Sequence, residues 1–254
     1  MNIIKQKDVQ DKKGKVFISF VLDESGSMST GQGAVVSGMN EQIQTIKNKF
    51  KDSNADVVVS FVKFSDNIIS LYEGTTLENL REFESHAYKP NGSTALYDAV
   101  GYTLDMMNRM DGINDEGNSS LLVIITDGEE NASRHFNSKQ IAERIQSLNN
   151  TKRWTITYLG PNSVDLSSVK QSMNTSMGNM YSANLSNSLG YKSAFKSINS
   201  NLGMWADNAS LAAHSGVSYT CDAFYSLDKS GGISSADISS VDISTLNGEP
   251  ITIR

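Results

Sequence analysis

Val16-Phe17-Ile18-Ser19-Phe20-Val21-Leu22-Asp23-Glu24-Ser25-Gly26-Ser27-Met28-Ser29 is the stretch that decides the fold. Its apolar run reaches Leu22 and stops at a carboxylate, followed by two hydroxyls at alternate positions. Such a run reads as a strand buried on both faces, as in the middle of a parallel sheet. A strand of that kind delivers its last residues to the carboxyl edge of the sheet, where open α/β folds place their sites. A tight turn, helped by Gly26, would aim oxygens of Asp23, Ser25 and Ser27 at one point. A carboxylate with hydroxyl oxygens is a site for a hard cation. The plainer reading is that Asp23 and Ser25 cap the following helix.

Working outward, Val35, Met39, Ile43, Ile46 and Phe50 recur at spacings of three and four and predict an amphipathic helix. Residues 56–64 read as a second strand and residues 68–72 as a short strand returning beside it through the Ser65-Asp66-Asn67 turn. That hairpin makes the third strand antiparallel, at an edge. Residues 77–83 predict a short helix. Pro90 and Gly92 shape a turn before Thr94, and Leu96, Val100, Leu104 and Met107 give a second helical stripe. Leu121-Leu122-Val123-Ile124-Ile125-Thr126 is the most continuous apolar run, a central strand that stops at Asp127-Gly128-Glu129. Ser138 is a candidate N-cap for a helix carrying Ile141, Ile145 and Leu148. Residues 154–159 and 180–183 give two more strands around a weak helix at 164–173. Tyr191, Phe195, Ile198, Leu202, Trp205, Ala209 and Ala212 lay one stripe along a long helix. Alternating strands and helices imply a doubly wound α/β sheet with right-handed crossovers.

Three segments together carry a resemblance. They are Asp23-Glu24-Ser25-Gly26-Ser27, then Thr94 within Asn91-Gly92-Ser93-Thr94, then Asp127 within Thr126-Asp127-Gly128. In this order, each beside the expected strand or helix, they resemble the von Willebrand factor type A domain of the standalone bacterial or phage kind. That family's metal-ion-dependent adhesion site has the pattern D-x-S-x-S, a Thr, and an Asp. The sequence departs from it in carrying Gly-Ser-Thr where relatives often have Gly-Gly-Thr. The resemblance covers about residues 15 to 213. It implies a six-stranded, mostly parallel sheet in the order 3-2-1-4-5-6 with one antiparallel edge strand, and a metal held by Asp23, Ser25, Ser27, Thr94 and Asp127.

Elementary chemistry is consistent with the site that the resemblance implies. Two carboxylates about 4 to 6 Å apart repel unless a cation neutralises them. Five oxygens, some acting through water, leave a position open. Mg2+ suits a site that keeps waters, Mn2+ behaves similarly, and Ca2+ prefers more oxygens. By the resemblance, the open position accepts a carboxylate from a partner protein.

Composition narrows the function classes. The chain has 254 residues, 38% of them hydrophobic, which suits one α/β domain with polar extensions. Asp and Glu total 28 against 22 Lys and Arg, a formal net charge of -6, and no basic cluster offers a nucleic-acid footprint. The one cysteine, Cys221, permits no intrachain disulfide. Residues 1–14 are polar without an apolar signal region, and no run is long enough to span a membrane. These features predict a cytoplasmic protein, with incorporation into a virion or larger assembly left open. His86, His135 and His214 lack ligand spacing and read as surface or structural residues. No G-x-S-x-G, Walker A or G-x-G-x-x-G motif is present, so neither serine hydrolysis nor a nucleotide cofactor is expected. Glu24, Glu129 and Glu130 either steer ligands or, as the plainer reading has it, are solvated charges. Asp98 either orients the Thr94 loop or favours its helix N-terminus.

The expected organisation is an N-terminal arm over 1–14, the domain over 15–213 and a C-terminal extension over 214–254. The extension holds a near-repeat, Ile233-Ser234-Ser235-Ala236-Asp237 and Ile238-Ser239-Ser240-Val241-Asp242. Asp228-Lys229-Ser230-Gly231-Gly232 has the wrong spacing for a calcium loop. The leading expectation is a non-enzymatic, metal-dependent protein-binding module. By the resemblance, its partners include an AAA+ ATPase or a virion or surface assembly, with no nucleic acid and no membrane span. The alternative is a structural component of a virion or surface complex, with the extension as an oligomerisation arm. A metal-dependent hydrolase would need a general base beside the metal, and no His or isolated Glu is placed for it.

Overall fold

In a computed structural model, which describes residues 14–53 and 55–226, the apolar run from Val16 becomes strand β1, Lys15–Asp23. Its side chains alternate between two cores, as the twofold repeat of a strand requires. Ile18, Phe20 and Leu22 enter one core, and Phe17 and Val21 enter the other. The remaining strands are β2 (Asp56–Phe64), β3 (Ile68–Thr76), β4 (Ser119–Ile125), β5 (Trp154–Pro161) and β6 (Met180–Ala183). They form one sheet in the order β3-β2-β1-β4-β5-β6. Among the described strands only β2 and β3 pair antiparallel, with register shifts near Phe61. β1 and β4 are neighbours reached from opposite directions, so the order reverses between them and their carboxyl ends open a crevice.

Helices cover both faces. α1 (Gln32–Phe50) and α5 (Ser188–His214) lie on one; α2 (Leu96–Asn108), α3 (Ser138–Asn150) and α4 (Leu166–Met173) lie on the other. α1 and α5 approach very closely. A Cβ on Gly31 would meet the Tyr191 ring, and one on Gly38 the Phe195 ring, at 2.3 Å each. These glycines make room for aromatic side chains, each contributing roughly 1.5–3 kcal/mol when fully buried. Among the described residues no helix is long and apolar enough to cross a membrane.

Four local expectations change. Residues 77–83 do not form a helix. The chain turns at Thr76, whose carbonyl accepts the amides of Asn79 and Leu80. It then runs extended so that Leu80 and Phe83 plug the core, and the Asn40 side chain takes the Phe83 amide at 2.7 Å. β3 is longer than expected, reaching Thr76. Ser138 is the first residue inside α3; the cap is Asn137, in a reciprocal box with Gln140. The last change is at the C-terminal side. The packed body does not stop at the expected boundary, residue 213, but continues to residue 226.

That segment crosses the amino-terminal edge of the sheet, opposite the crevice. The Tyr219 amide donates to Ser119 Oγ at 2.7 Å and the Cys221 amide to Thr155 Oγ1 at 2.9 Å. Asn179 bonds both the Cys221 carbonyl and the Phe224 amide. Tyr219, Cys221, Phe224 and Tyr225 are buried with the α1–α5 core. Ser119 and Thr155 stand at the starts of β4 and β5 and Asn179 in the turn before β6, and no spacing in the sequence announces their pairing with 219–224. The expected arm up to residue 13, the 228–232 stretch and the near-repeat over 233–242 lie outside the described residues.

Candidate metal site

β1 ends in register with Phe64 of β2 and, one residue earlier, with Ile125 of β4. Asp23 is fully buried there. The Glu24 amide still bonds the Phe64 carbonyl at 2.6 Å, so the chain leaves the sheet only after Glu24. Asp23 Oδ1 accepts the Ser25 amide at 2.7 Å, which folds the backbone back. Gly26 passes against the Thr94 loop, its amide donating to the Gly92 carbonyl at 3.0 Å. Gly92 itself has φ +81, and a Cβ there would lie 2.1 Å from Asp66 Oδ2. Only glycine fits that corner.

The plainer capping reading fails on geometry. Ser25 precedes a 3₁₀ turn over Gly26–Gly31, yet its side chain makes no capping bond. The Ser25 hydroxyl instead lies 3.1 Å from the Ser27 hydroxyl. Ser27 Oγ donates to Asp127 Oδ1 at 2.6 Å. Thr94 is held from outside the site: its amide donates to Asn131 Oδ1 at 2.9 Å and its carbonyl accepts the Asn131 amide at 3.0 Å. A Cβ on Gly128 would sit 3.3 Å from Thr94 Oγ1 and 3.7 Å from Ser27 Oγ, so both hydroxyls face the gap over this glycine. The structure thus brings Asp23, Ser25, Ser27, Thr94 and Asp127 to one place.

Two members escaped the sequence reading. Thr126 Oγ1 donates to Asp23 Oδ2 at 2.6 Å. The Tyr191 hydroxyl, from α5, donates to Asp127 Oδ2. Tyr191 read as one more core residue of its stripe, and its ring is indeed buried. Only its hydroxyl, at the tip of that ring, could have flagged it.

Burial pushes the Asp23 carboxyl up to about 6, against lowering bonds from Thr126 and Ser25 and with a raising contribution from Asp127. Burial and the bond to Asp127 also raise the Tyr191 hydroxyl, which keeps it a donor. Among the described residues neither Asp23 nor Asp127 is paired with a Lys, Arg or His. A cation fits this donor set. Ser27 spends its proton on Asp127, so its lone pairs face the gap, and the oxygens are hard. The described residues hold no cluster of three His, Cys, Asp or Glu; the set here is two carboxylates and three hydroxyls.

The surrounding acids differ from their solvated reading, except Glu129, which is exposed. Glu24 is buried and pairs with Lys63. Glu130 accepts from the Tyr97, Ala132 and Ser133 amides and ties α2 to the loop after β4. Asp98 is likewise a tie. Its desolvation is outweighed by bonds from the amides of Arg134, Phe136 and His135, which hold the carboxyl below the usual range.

A doubly wound sheet with carboxylates and hydroxyls gathered at its switch point defines a class of cation-binding α/β domains. The chain belongs to the von Willebrand factor type A domain family, whose model matches residues 18–195. Among solved structures it is similar to the pilus adhesin SpaC from Lactobacillus rhamnosus GG, with a TM-score of 0.53 at 14% identity over 78% of this chain and 31% of that one. It is similar to the von Willebrand domain of the type V pili tip protein Mfa5 from Porphyromonas gingivalis, with a TM-score of 0.52 at 10% identity over 74% and 96%. It is also similar to proximal thread matrix protein 1 from the mussel byssus with zinc in its MIDAS motif, with a TM-score of 0.51 at 18% identity over 80% and 47%. The chain therefore spans less than half of SpaC and of the byssus protein. These likenesses show a shared fold. No curated protein sequence matches the chain significantly.

Proposed function

We propose that the chain is a metal-dependent protein-binding module rather than an enzyme. Asp23, Ser25, Ser27, Thr94 and Asp127 hold a divalent cation, Mg2+ or Mn2+, Asp127 acting through water or through the Ser27 hydroxyl it orients, and a carboxylate of a partner protein completes the shell. One observation carries the reading: among the described residues a buried carboxylate and a second one have no cationic side chain against either, and beside them the Thr94 and Ser27 hydroxyls face a common gap, with the Ser25 hydroxyl 3.1 Å from that of Ser27. A bound cation supplies the missing positive charge and polarises the partner's carboxylate. The residues of the chain do the rest. Ser27 and Thr94 present lone pairs, Asp127 orients the Ser27 hydroxyl, and Thr126 and the Ser25 amide hold Asp23.

The test is partner recovery with Mg2+ or with EDTA, comparing wild type with Asp23→Ala. Metal at about 100 times its Kd stabilises the wild type by roughly 2.7 kcal/mol. The variant should stay folded and lose both that stabilisation and the EDTA-sensitive recovery. Equal recovery by a variant shown to be metal-free would remove the site from the binding surface. A second reading is motivated by the pilus and byssus proteins that share the fold: a structural component of a surface or fibre assembly, with the same site used between subunits. Cation-dependent self-association of the purified chain would favour it over an AAA+ ATPase or another soluble partner.

A further inference from the structure

Tyr191 lies outside the three motif segments yet touches the site, and the packing delivers it there with little freedom. Its ring lies directly on Gly31, where a Cβ would come within 2.3 Å of it. Gly31 closes the 3₁₀ turn that carries Ser27. On the other side, Tyr191 is one helical turn from Phe195, which is fitted onto Gly38 of α1 in the same way. The Tyr191 hydroxyl therefore reaches Asp127 from a fixed platform. The two oxygens of Asp127 then have separate donors, Ser27 on Oδ1 and Tyr191 on Oδ2.

We propose that Tyr191 is a positioning residue of the cation site, holding Asp127 as an acceptor of the Ser27 hydroxyl so that it does not turn and bind the cation itself. The inference rests on the cation-site reading above. A carboxylate with one donor on each oxygen is fixed in rotation and part of its charge is spent on those donors. It polarises Ser27 without delivering a second full negative charge to the cation. The cation then keeps its attraction for a carboxylate from outside. Without the tyrosine hydroxyl, Asp127 is free to rotate, enter the cation's shell and take the place of a water. Cation affinity rises and the attraction for an external carboxylate falls. Opposite signs for the two affinities set this role apart from simple packing, whose loss would weaken both.

The experiment uses the full chain, Mn2+ as the cation and acetate as the external carboxylate. Tyr191→Phe keeps the ring on Gly31 and removes only the hydroxyl. The expected result is Mn2+ binding tighter by about tenfold, the scale of one charge-assisted hydrogen bond. Water-proton relaxation of the Mn2+ complex should report about one fewer bound water, and acetate affinity should fall. Tyr191→Phe placed on Asp127→Ala should change none of these, because the tyrosine acts through Asp127. Gly31→Ala, which pushes the ring away with its hydroxyl intact, should reproduce the Mn2+ and acetate changes and covers the case of a poorly folded Tyr191→Phe. Wild type that binds no Mn2+ would overturn the site reading and this inference with it. Wild type that binds Mn2+ with affinity and relaxation equal to those of Tyr191→Phe would overturn the role of Tyr191 alone. So would an equal change on the Asp127→Ala background.

Discussion

Lys63 Nζ lies 2.9 Å from Glu24 Oε1, and both side chains are nearly out of solvent. The pair joins the end of β2 to the residue just after Asp23. Glu24 Oε1 also accepts the Lys89 amide, Lys63 also donates to the Ala87 carbonyl, and the Glu24 carbonyl accepts the Asn91 amide. The variable position of the D-x-S-x-S pattern is thus where this chain anchors the loop leading to Thr94. Removing one partner of a buried pair leaves an uncompensated charge and costs about 3–5 kcal/mol. Lys63→Met should lose stability on that scale in urea unfolding, and Glu24→Gln in the same chain should restore part of it. A loss below about 0.5 kcal/mol would place the pair in the class of exposed ion pairs.

Cation binding should depend on pH through Asp23. Its carboxyl is pushed up to about 6 by burial in the metal-free protein, and a proton competes with the cation. Mn2+ affinity should fall by about tenfold for each pH unit below 6 and level off above 7. The stability of the metal-free protein runs the other way. The folded value lies above the ordinary 3.8, so the folded state binds more protons between the two values. Asp23 then favours the fold below pH 4, and this contribution is lost as pH rises through 6, by up to roughly 3 kcal/mol. Titration calorimetry with Mn2+ and urea unfolding in EDTA, each from pH 4.5 to 8, check the two slopes. A flat affinity would show that Asp23 is not a ligand.

The C-terminal side of α5 gives a sharp contrast between two truncations. A chain ending at residue 226 keeps every described contact. A chain ending at residue 215 loses the buried side chains of Tyr219, Cys221, Phe224 and Tyr225. At roughly 1.5–3 kcal/mol for each large apolar side chain, that loss equals most of a typical domain's 5–15 kcal/mol. The shorter chain should show no cooperative unfolding transition, and the longer one a single transition. Cooperative unfolding of the chain ending at 215 would return the boundary to residue 213.

These cases show what kind of information the sequence carried. The succession of strands and helices was legible because it depends on runs and spacings, such as the Val16 to Leu22 run and the α1 and α5 stripes, whereas the strand order came only with the resemblance carried by the three motif segments. The missed features share a different cause. Ser119 and Thr155 are hydroxyls at the starts of β4 and β5, Thr126 stands just past the end of β4, and Glu24 and Asp98 are acids whose donors lie far along the chain. Such pairings exist only once the fold has brought their partners together. The false helix at 77–83 has the same origin, since an apolar pair three residues apart also suits a turn whose side chains plug a core.

Gly128 offers a test of the gap that removes no ligand. Its φ lies outside the left-handed region, so alanine is compatible with the backbone, and Gly→Ala at such a position adds about 0.4–1 kcal/mol of stability by restricting the unfolded chain. The new methyl would stand 3.3 Å from Thr94 Oγ1 and 3.7 Å from Ser27 Oγ. That is ordinary or slightly tight contact, so the fold can absorb it, but the methyl takes space that a cation between those hydroxyls needs. A metal–oxygen distance near 2.1 Å for Mg2+ leaves no room for a carbon beside it. Gly128→Ala should therefore unfold at the same urea concentration as wild type in EDTA, or slightly higher. It should bind Mn2+ at least about tenfold more weakly, with all five proposed site residues intact. Unchanged Mn2+ affinity in this variant would mean that the cation does not sit between Thr94 and Ser27. The hydroxyls would then be a hydrogen-bonded lining, with Asp23 left to bind elsewhere or not at all.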